Sequence, residues 1–104
     1  MRRSGVVLMI RHIVMFRFTD KVTKENRQEI LNKLEESLHR MNGEIPGLKV
    51  MELKENKADS PYDIVMYSEF ESKEAEMEYQ HHPLHIAHRD MAAPYVCDRN
   101  IVEI

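Results

Sequence analysis

Ile10-Arg11-His12-Ile13-Val14-Met15-Phe16-Arg17-Phe18 alternates with a two-residue period and carries apolar residues on both sides of the alternation. Ile10, His12, Val14, Phe16 and Phe18 share one face; Arg11, Ile13, Met15 and Arg17 share the other. A strand that is apolar on both faces belongs inside a sheet covered on two sides. Every other element must therefore pair beside this strand or supply one of its two covers. His12 lies on the more aromatic face, where it is either a satisfied core histidine or a polar group in a pocket.

Downstream, Thr23 can cap a helix in which Ile30, Leu31, Leu34, Leu38 and Met41 recur at helical spacing, and Asn42-Gly43 supplies a left-handed stop. Ile45-Pro46-Gly47 turns into a second strand from Leu48 to about Glu55, with Leu48 and Val50 on one face and Met51 and Leu53 on the other. After the polar turn from Asn56 to Pro61, a third strand runs from Tyr62 to Phe70. Tyr62, Ile64, Met66 and Phe70 face one way; Val65 and Tyr67 face the other. Ser72 caps a second helix, which must stop or bend near Gln80 because proline disrupts a helix interior. Pro83 then opens a short helix whose apolar side carries Met91, Ala92 and Tyr95. A final strand places Val96 and Val102 on one face and Cys97 and Ile101 towards the other.

The order β-α-β-β-α-β, with its second helix broken, predicts an α+β, ferredoxin-like protomer whose helices lie on one side of the sheet. Arg11, Ile13, Met15, Met51, Leu53, Val65 and Tyr67 then line a second face too apolar to leave in water. Pairing two such faces about a two-fold axis covers them, so a homodimer, a dimeric α/β barrel, is expected.

The 104 residues make one domain, placed at residues 9–104 behind a flexible extension at residues 1–8; Met1 and Met9 can both serve as starts. Fifteen Lys and Arg against eighteen Asp and Glu leave a net charge of -3, which argues against nucleic acid as a partner. No apolar run reaches membrane-spanning length, so no membrane partner is expected. The single cysteine, Cys97, forms no internal disulfide, reads as a small packed residue rather than a nucleophile, and fits a cytoplasmic home.

Chemistry concentrates in Tyr79-Gln80-His81-His82-Pro83-Leu84-His85, with His88 just beyond. His82 falls at the N-cap of the helix that Pro83 opens, and His85 in its first turn, where the helix dipole disfavours an imidazolium. A neutral His85 beside the Tyr79 hydroxyl makes half of a general acid/base pair. The plainer reading makes these histidines caps or solvent-exposed spacers and Tyr79 a core residue with its hydroxyl at the surface. A metal could use the pairs His81/His85 or His85/His88, but Pro83 breaks the first register and Asp90 alone is near enough to extend the shell. No metal is expected.

The strand Ile10–Phe18, then Ile45-Pro46-Gly47-Leu48, Tyr62-Asp63-Ile64-Val65, Phe70-Glu71-Ser72, and Tyr79 with His82-Pro83-Leu84-His85, together resemble the stress-responsive A/B barrel (Dabb) domain family from Met9 to Ile104. The resemblance implies a ferredoxin-like protomer and a dimeric α/β barrel. It extends distantly to olivetolic acid cyclase, a plant member that closes a linear polyketide by aldol condensation without a cofactor. By motif His85 matches its base, Tyr79 its phenol and His12 a pocket histidine on the first strand. Ile64 stands where that enzyme has a further pocket histidine, so what carries over is the acid/base pair rather than the cyclase reaction. His82 and Pro83 form the family's His-Pro turn, a structural role.

Two functions follow. In the first, a pocket between sheet and helices, lined by His12, Val14, Phe16, Ile64, Met66 and Met91, binds a small apolar carbonyl compound of polyketide type. His85 and Tyr79 would then perform acid/base chemistry on it with no cofactor. In the second, the chain is a non-catalytic stress-response protein acting as a stable dimer or larger oligomer. A cofactor-free oxygenase on the same scaffold has no separate signature here. A cavity reaching Tyr79 and His85 separates the first reading from the second.

Overall fold

β1 (Ile10–Phe18) is hydrogen-bonded along both edges. On one side it pairs antiparallel with β3 (Ile64–Phe70), placing His12 opposite Ser68 and Phe16 opposite Ile64. On the other it pairs antiparallel with β4 (Val96–Glu103), placing His12 opposite Glu103. β2 (Leu48–Glu55) adds to the far side of β3, giving the order β2-β3-β1-β4. The computed structural model describes residues 9–104, and the extension expected over residues 1–8 lies outside the described residues. Among the described residues no helix is long and apolar enough to cross a membrane.

Three helices cover one face of this sheet, the ferredoxin-like arrangement. α1 (Arg27–His39) buries Ile30, Leu31, Leu34 and Leu38, the stripe expected from their spacing. α2 (Lys73–Tyr79) is capped by the Ser72 side chain, which accepts from the Ala75 N–H at 3.1 Å. α3 (Pro83–Ala92) opens at Pro83 as predicted. Two apolar clusters result. Phe70, Leu38, Met41, Leu48 and Met51 gather with Ala75 and Tyr79 of α2; Ile64 gathers with Ile30, Leu31 and Leu34 of α1 and Ala92 of α3.

Four expectations are corrected. Met51 and Leu53 do not line the second face. The ladder shifts between Leu48 and Val50, so Lys49 is an extra residue and Leu48, Met51 and Leu53 all turn towards the helices. Between Cys97 and Asn100, where Asp98 adopts φ 53°, β4 changes parity in the same way. Val96 opposite Phe18 and Ile101 opposite Val14 therefore share the helix side, while Cys97 opposite Arg17 and Val102 opposite Ile13 share the other. The third strand starts at Ile64 rather than Tyr62, because the Asp63 carboxylate turns back to accept the Phe18 N–H at 2.7 Å. The first helix starts at Arg27: Thr23 and Asn26 bond each other's backbone N–H through their side chains and hold a turn ahead of it. The second face accordingly carries Ile13, Met15, Val50, Val65, Tyr67 and Val102 as an apolar patch, with Arg11, Arg17, Glu52, Lys54, Glu69 and Asn100 on the same face.

Gly47 is the tightest backbone approach. It sits at φ +80°, and a Cβ there would collide with the Ala75 Cβ of α2. Gly43, at φ +82°, has open space around it. Gly47→Ala therefore combines left-handed strain with overpacking and should destabilise by at least about 2 kcal/mol. Gly43→Ala should cost only the strain, about 1 kcal/mol. Urea unfolding of the two variants side by side measures the difference; equal losses would remove the close approach from the account.

Candidate functional site

The break between α2 and α3 makes the site. His82 caps α3 with its own ring: Nδ1 accepts the Leu84 N–H at 3.1 Å. His85 then falls in the first turn and folds back over α2, where its ring centroid is 4.1 Å from that of Tyr79. Tyr79 rests in turn on Phe70, 4.9 Å away, and Phe70 meets His12 edge-on at 6.2 Å. A continuous file of four rings thus runs from the short helix down to the centre of the sheet.

A cavity of about 390 Å³ opens beside this file. It is lined by His12, Val14, Phe16, Ile64, Met66, Tyr79 and His85, all expected, and also by Leu34, Leu53, Gln80, His88, Arg89, Ala92, Val96 and Arg99. Met91 is not among them. It packs against the Ile30–Ile64 cluster, because one step along α3 turns a side chain about 100° away, and His88 and Ala92 present themselves instead. Sequence reasoning named His88 only as a possible metal ligand; its position three residues after His85, on the same helix face, was the available signal.

The polar groups are organised by burial. His85 Nδ1 donates to the Gln80 carbonyl at 3.4 Å, which leaves Nε2 with its lone pair. Burial pushes the His85 pKa down, that hydrogen bond opposes the shift, and the charges of Arg89 and Arg99 push the same way as burial. The direction is the one expected, and desolvation is its largest cause. Burial also lifts the Tyr79 phenol above its ordinary value, so the group stays protonated. His88, 3% exposed, bonds Ser37 of α1 through Nδ1 at 2.9 Å. Its Nε2 is buried with no partner among the described residues. Desolvation takes its pKa down to about 4, and the neighbouring His85 adds to the effect.

Paired charges gather at one end of the site. His12 Nδ1 donates to the Glu103 carboxylate at 2.7 Å, fixing the ring and turning Nε2 away from the pair. Lys73 bridges Glu103 and the buried Glu76, at 2.8 Å to each, and Gln80 donates to Glu76 at 2.6 Å. The Lys73 bond, followed by that from His12, holds the Glu103 carboxyl below the usual carboxylate range against the cost of burial. His12, Glu76 and Glu103 place three ligand atoms within 4.8 Å of one another, the arrangement most able to take a metal ion among the described residues. The Lys73 ammonium already supplies a cation there. The sequence-based set is not assembled: His81 and Asp90 are exposed, and neither lines the cavity.

Comparison with known proteins gives the site a setting. Residues 10–104 match the family model of the Stress responsive A/B Barrel Domain, Dabb. No curated protein matches. A dimeric protein of unknown function with a ferredoxin-like fold from Bacteroides fragilis is 26% identical with a TM-score of 0.82, over 95% of this chain and 98% of that one. A dimeric ferredoxin-like protein of unknown function from Thermobifida fusca is 28% identical with a TM-score of 0.77, over 92% and 89%. A Dabb family protein from Mesorhizobium loti, 24% identical with a TM-score of 0.73 over 92% and 94%, shares the fold.

The buried His88 makes a pH prediction with a definite sign. Its folded pKa, about 4, lies below the ordinary 6.5, so the unfolded chain takes up the proton first. Stability should fall as pH drops from 6.5 towards 4, with about 3 kcal/mol of the loss belonging to this group. In His88→Asn that part of the slope should vanish. Denaturant unfolding from pH 7.5 to 4 compares the two, and parallel curves would refute the assignment.

Proposed function

The chain belongs to the stress responsive A/B barrel (Dabb) family, and from that premise we propose that it binds a small apolar carbonyl compound and acts on it by acid/base chemistry without a cofactor. One observation carries the reading: an apolar cavity brings Tyr79, His85 and His12 to a single space, and the buried His88 Nε2 beside it has no partner among the described residues. A buried polar atom left unpaired costs about 1–3 kcal/mol, and a ligand acceptor or donor would remove that cost. The stable-dimer reading needs no such cavity.

In the proposed step His85 Nε2 takes a proton from the carbon alpha to the carbonyl. The electron pair left behind moves onto the carbonyl oxygen, which accepts a hydrogen bond from the Tyr79 hydroxyl, and reprotonation at carbon by His85 completes the cycle. The lowered pKa of His85 keeps it unprotonated at neutral pH. The raised pKa of Tyr79 keeps its proton available for donation. The His12–Glu103 pair lies beneath Phe70 and orients a third imidazole towards the same space.

Deuterium uptake at the alpha carbon of 4-phenyl-2-butanone in D2O, followed by mass spectrometry, tests the step without knowledge of the natural reaction. His85→Ala should slow protein-catalysed uptake about 10²–10⁴-fold with the fold retained, and Tyr79→Phe should slow it less. The rate should fall off only below pH 6.5, in keeping with the direction of the His85 shift. Uptake unchanged in a folded His85→Ala variant would defeat the proposal.

We further propose that two copies pair through the second sheet face. Support comes from the half-buried Ile13, Met15, Val65 and Tyr67 on that face and from the dimers described for the Bacteroides and Thermobifida proteins. Sedimentation velocity at micromolar concentration should show a dimer, and Val65→Lys should shift it to a monomer by placing an ammonium in the seam. A well-folded wild-type monomer under those conditions would contradict it.

A further inference from the structure

The mouth of the cavity carries charge that its interior lacks. Arg89 on α3 and Arg99 on β4 both line it, and both are exposed. Among the described residues, ion pairs to carboxylates engage Arg17, Arg27, Arg40, Lys49, Lys54 and Lys73; neither Arg89 nor Arg99 takes part. Glu76 and Glu103, at the other end of the site, are already bonded, Glu76 to Lys73 and Gln80, and Glu103 to Lys73 and His12. Two uncompensated guanidiniums beside an apolar cavity are unexpected in a chain of net charge -3. Both are close enough to His85 to depress its pKa, which places them around the same space from two different elements.

Resting on the ligand reading above, we propose that the cavity takes an organic acid, with its apolar body among Val14, Ile64 and Met66 and its carboxylate at the mouth on Arg89 and Arg99. Guanidinium groups recognise carboxylates through paired, charge-assisted hydrogen bonds, and a low-dielectric wall on one side strengthens them. The remaining polar atom of such a ligand, its carbonyl, then lies within the walls that hold Tyr79, His85 and the buried His88 Nε2. The acid head sets the orientation in which the reacting carbon faces His85.

Isothermal titration at pH 7.5 with hexanoate, 4-ethylbenzoate and the methyl ester of each tests the charge requirement. The acids should bind at least about tenfold more tightly than their esters. High salt should weaken the acids and leave the esters unchanged. In Arg89→Gln/Arg99→Gln the preference should fall to near unity with ester binding retained; circular dichroism checks the fold, and either single variant serves if the double one does not fold. Esters binding as well as acids to the wild type, or an acid preference intact in a folded double variant, would overturn the acid assignment while leaving the ligand site standing. Failure of all four compounds to bind would overturn both.

Discussion

A slip of β1 by one residue would carry His12, Val14 and Phe16 from the helix side of the sheet to the other face, and the two antiparallel ladders that prevent it are the constraint on which the molecule rests. The ladder to β3 sets Val14 opposite Met66 and Phe16 opposite Ile64, which makes the apolar wall of the cavity. The ladder to β4 sets His12 opposite Glu103, which makes the charged end. One register thus determines where the site is greasy and where it is polar. The helices add the Tyr79 phenol and the His85 and His88 imidazoles to a wall already built.

The division between charged and uncharged polar groups follows from the cost of desolvation. Lys73, Glu76 and Glu103 sit where carboxylate and ammonium can meet, so the buried Glu76 is compensated by a cation and an amide. Where no counter-charge is available, the polar groups are ones that can exist neutral: two imidazoles of lowered pKa and a phenol of raised pKa. The Ser37–His88 bond ties α1 to α3 beside the cavity and holds one of those imidazoles in place. The same low dielectric that neutralises the rings would magnify any hydrogen bond they make.

Much of this was legible in the chain. The alternation from Ile10 to Phe18, the 30/31/34/38 stripe and the cap signals at Ser72 and Pro83 each act locally, and each of those features formed where its local chemistry pointed, although the first helix begins past Thr23. What could not be read were the irregularities of pairing. Nothing in Leu48-Lys49-Val50 or Cys97-Asp98-Arg99 announces an extra residue, because a bulge is decided by the partner strand and by the cover above it. Those two events misplaced Met51, Leu53, Val96 and Ile101. Met91 failed for a related reason: a helix without a known rotation about its axis has no fixed inner edge. The residues that pair Tyr79 with His85 were found because Pro83 fixes the geometry between them from sequence alone.

The file of stacked rings also has an optical meaning. The chain has four tyrosines and no tryptophan, so no indole is present to drain tyrosine emission. Tyr79 is the one of the four that is fully enclosed, with an imidazole ring 4.1 Å away. Replacing Tyr62, Tyr67 and Tyr95 by phenylalanine leaves it as the sole tyrosine emitter. The protein then carries, without any added dye, a lamp set inside the chamber where a guest would arrive.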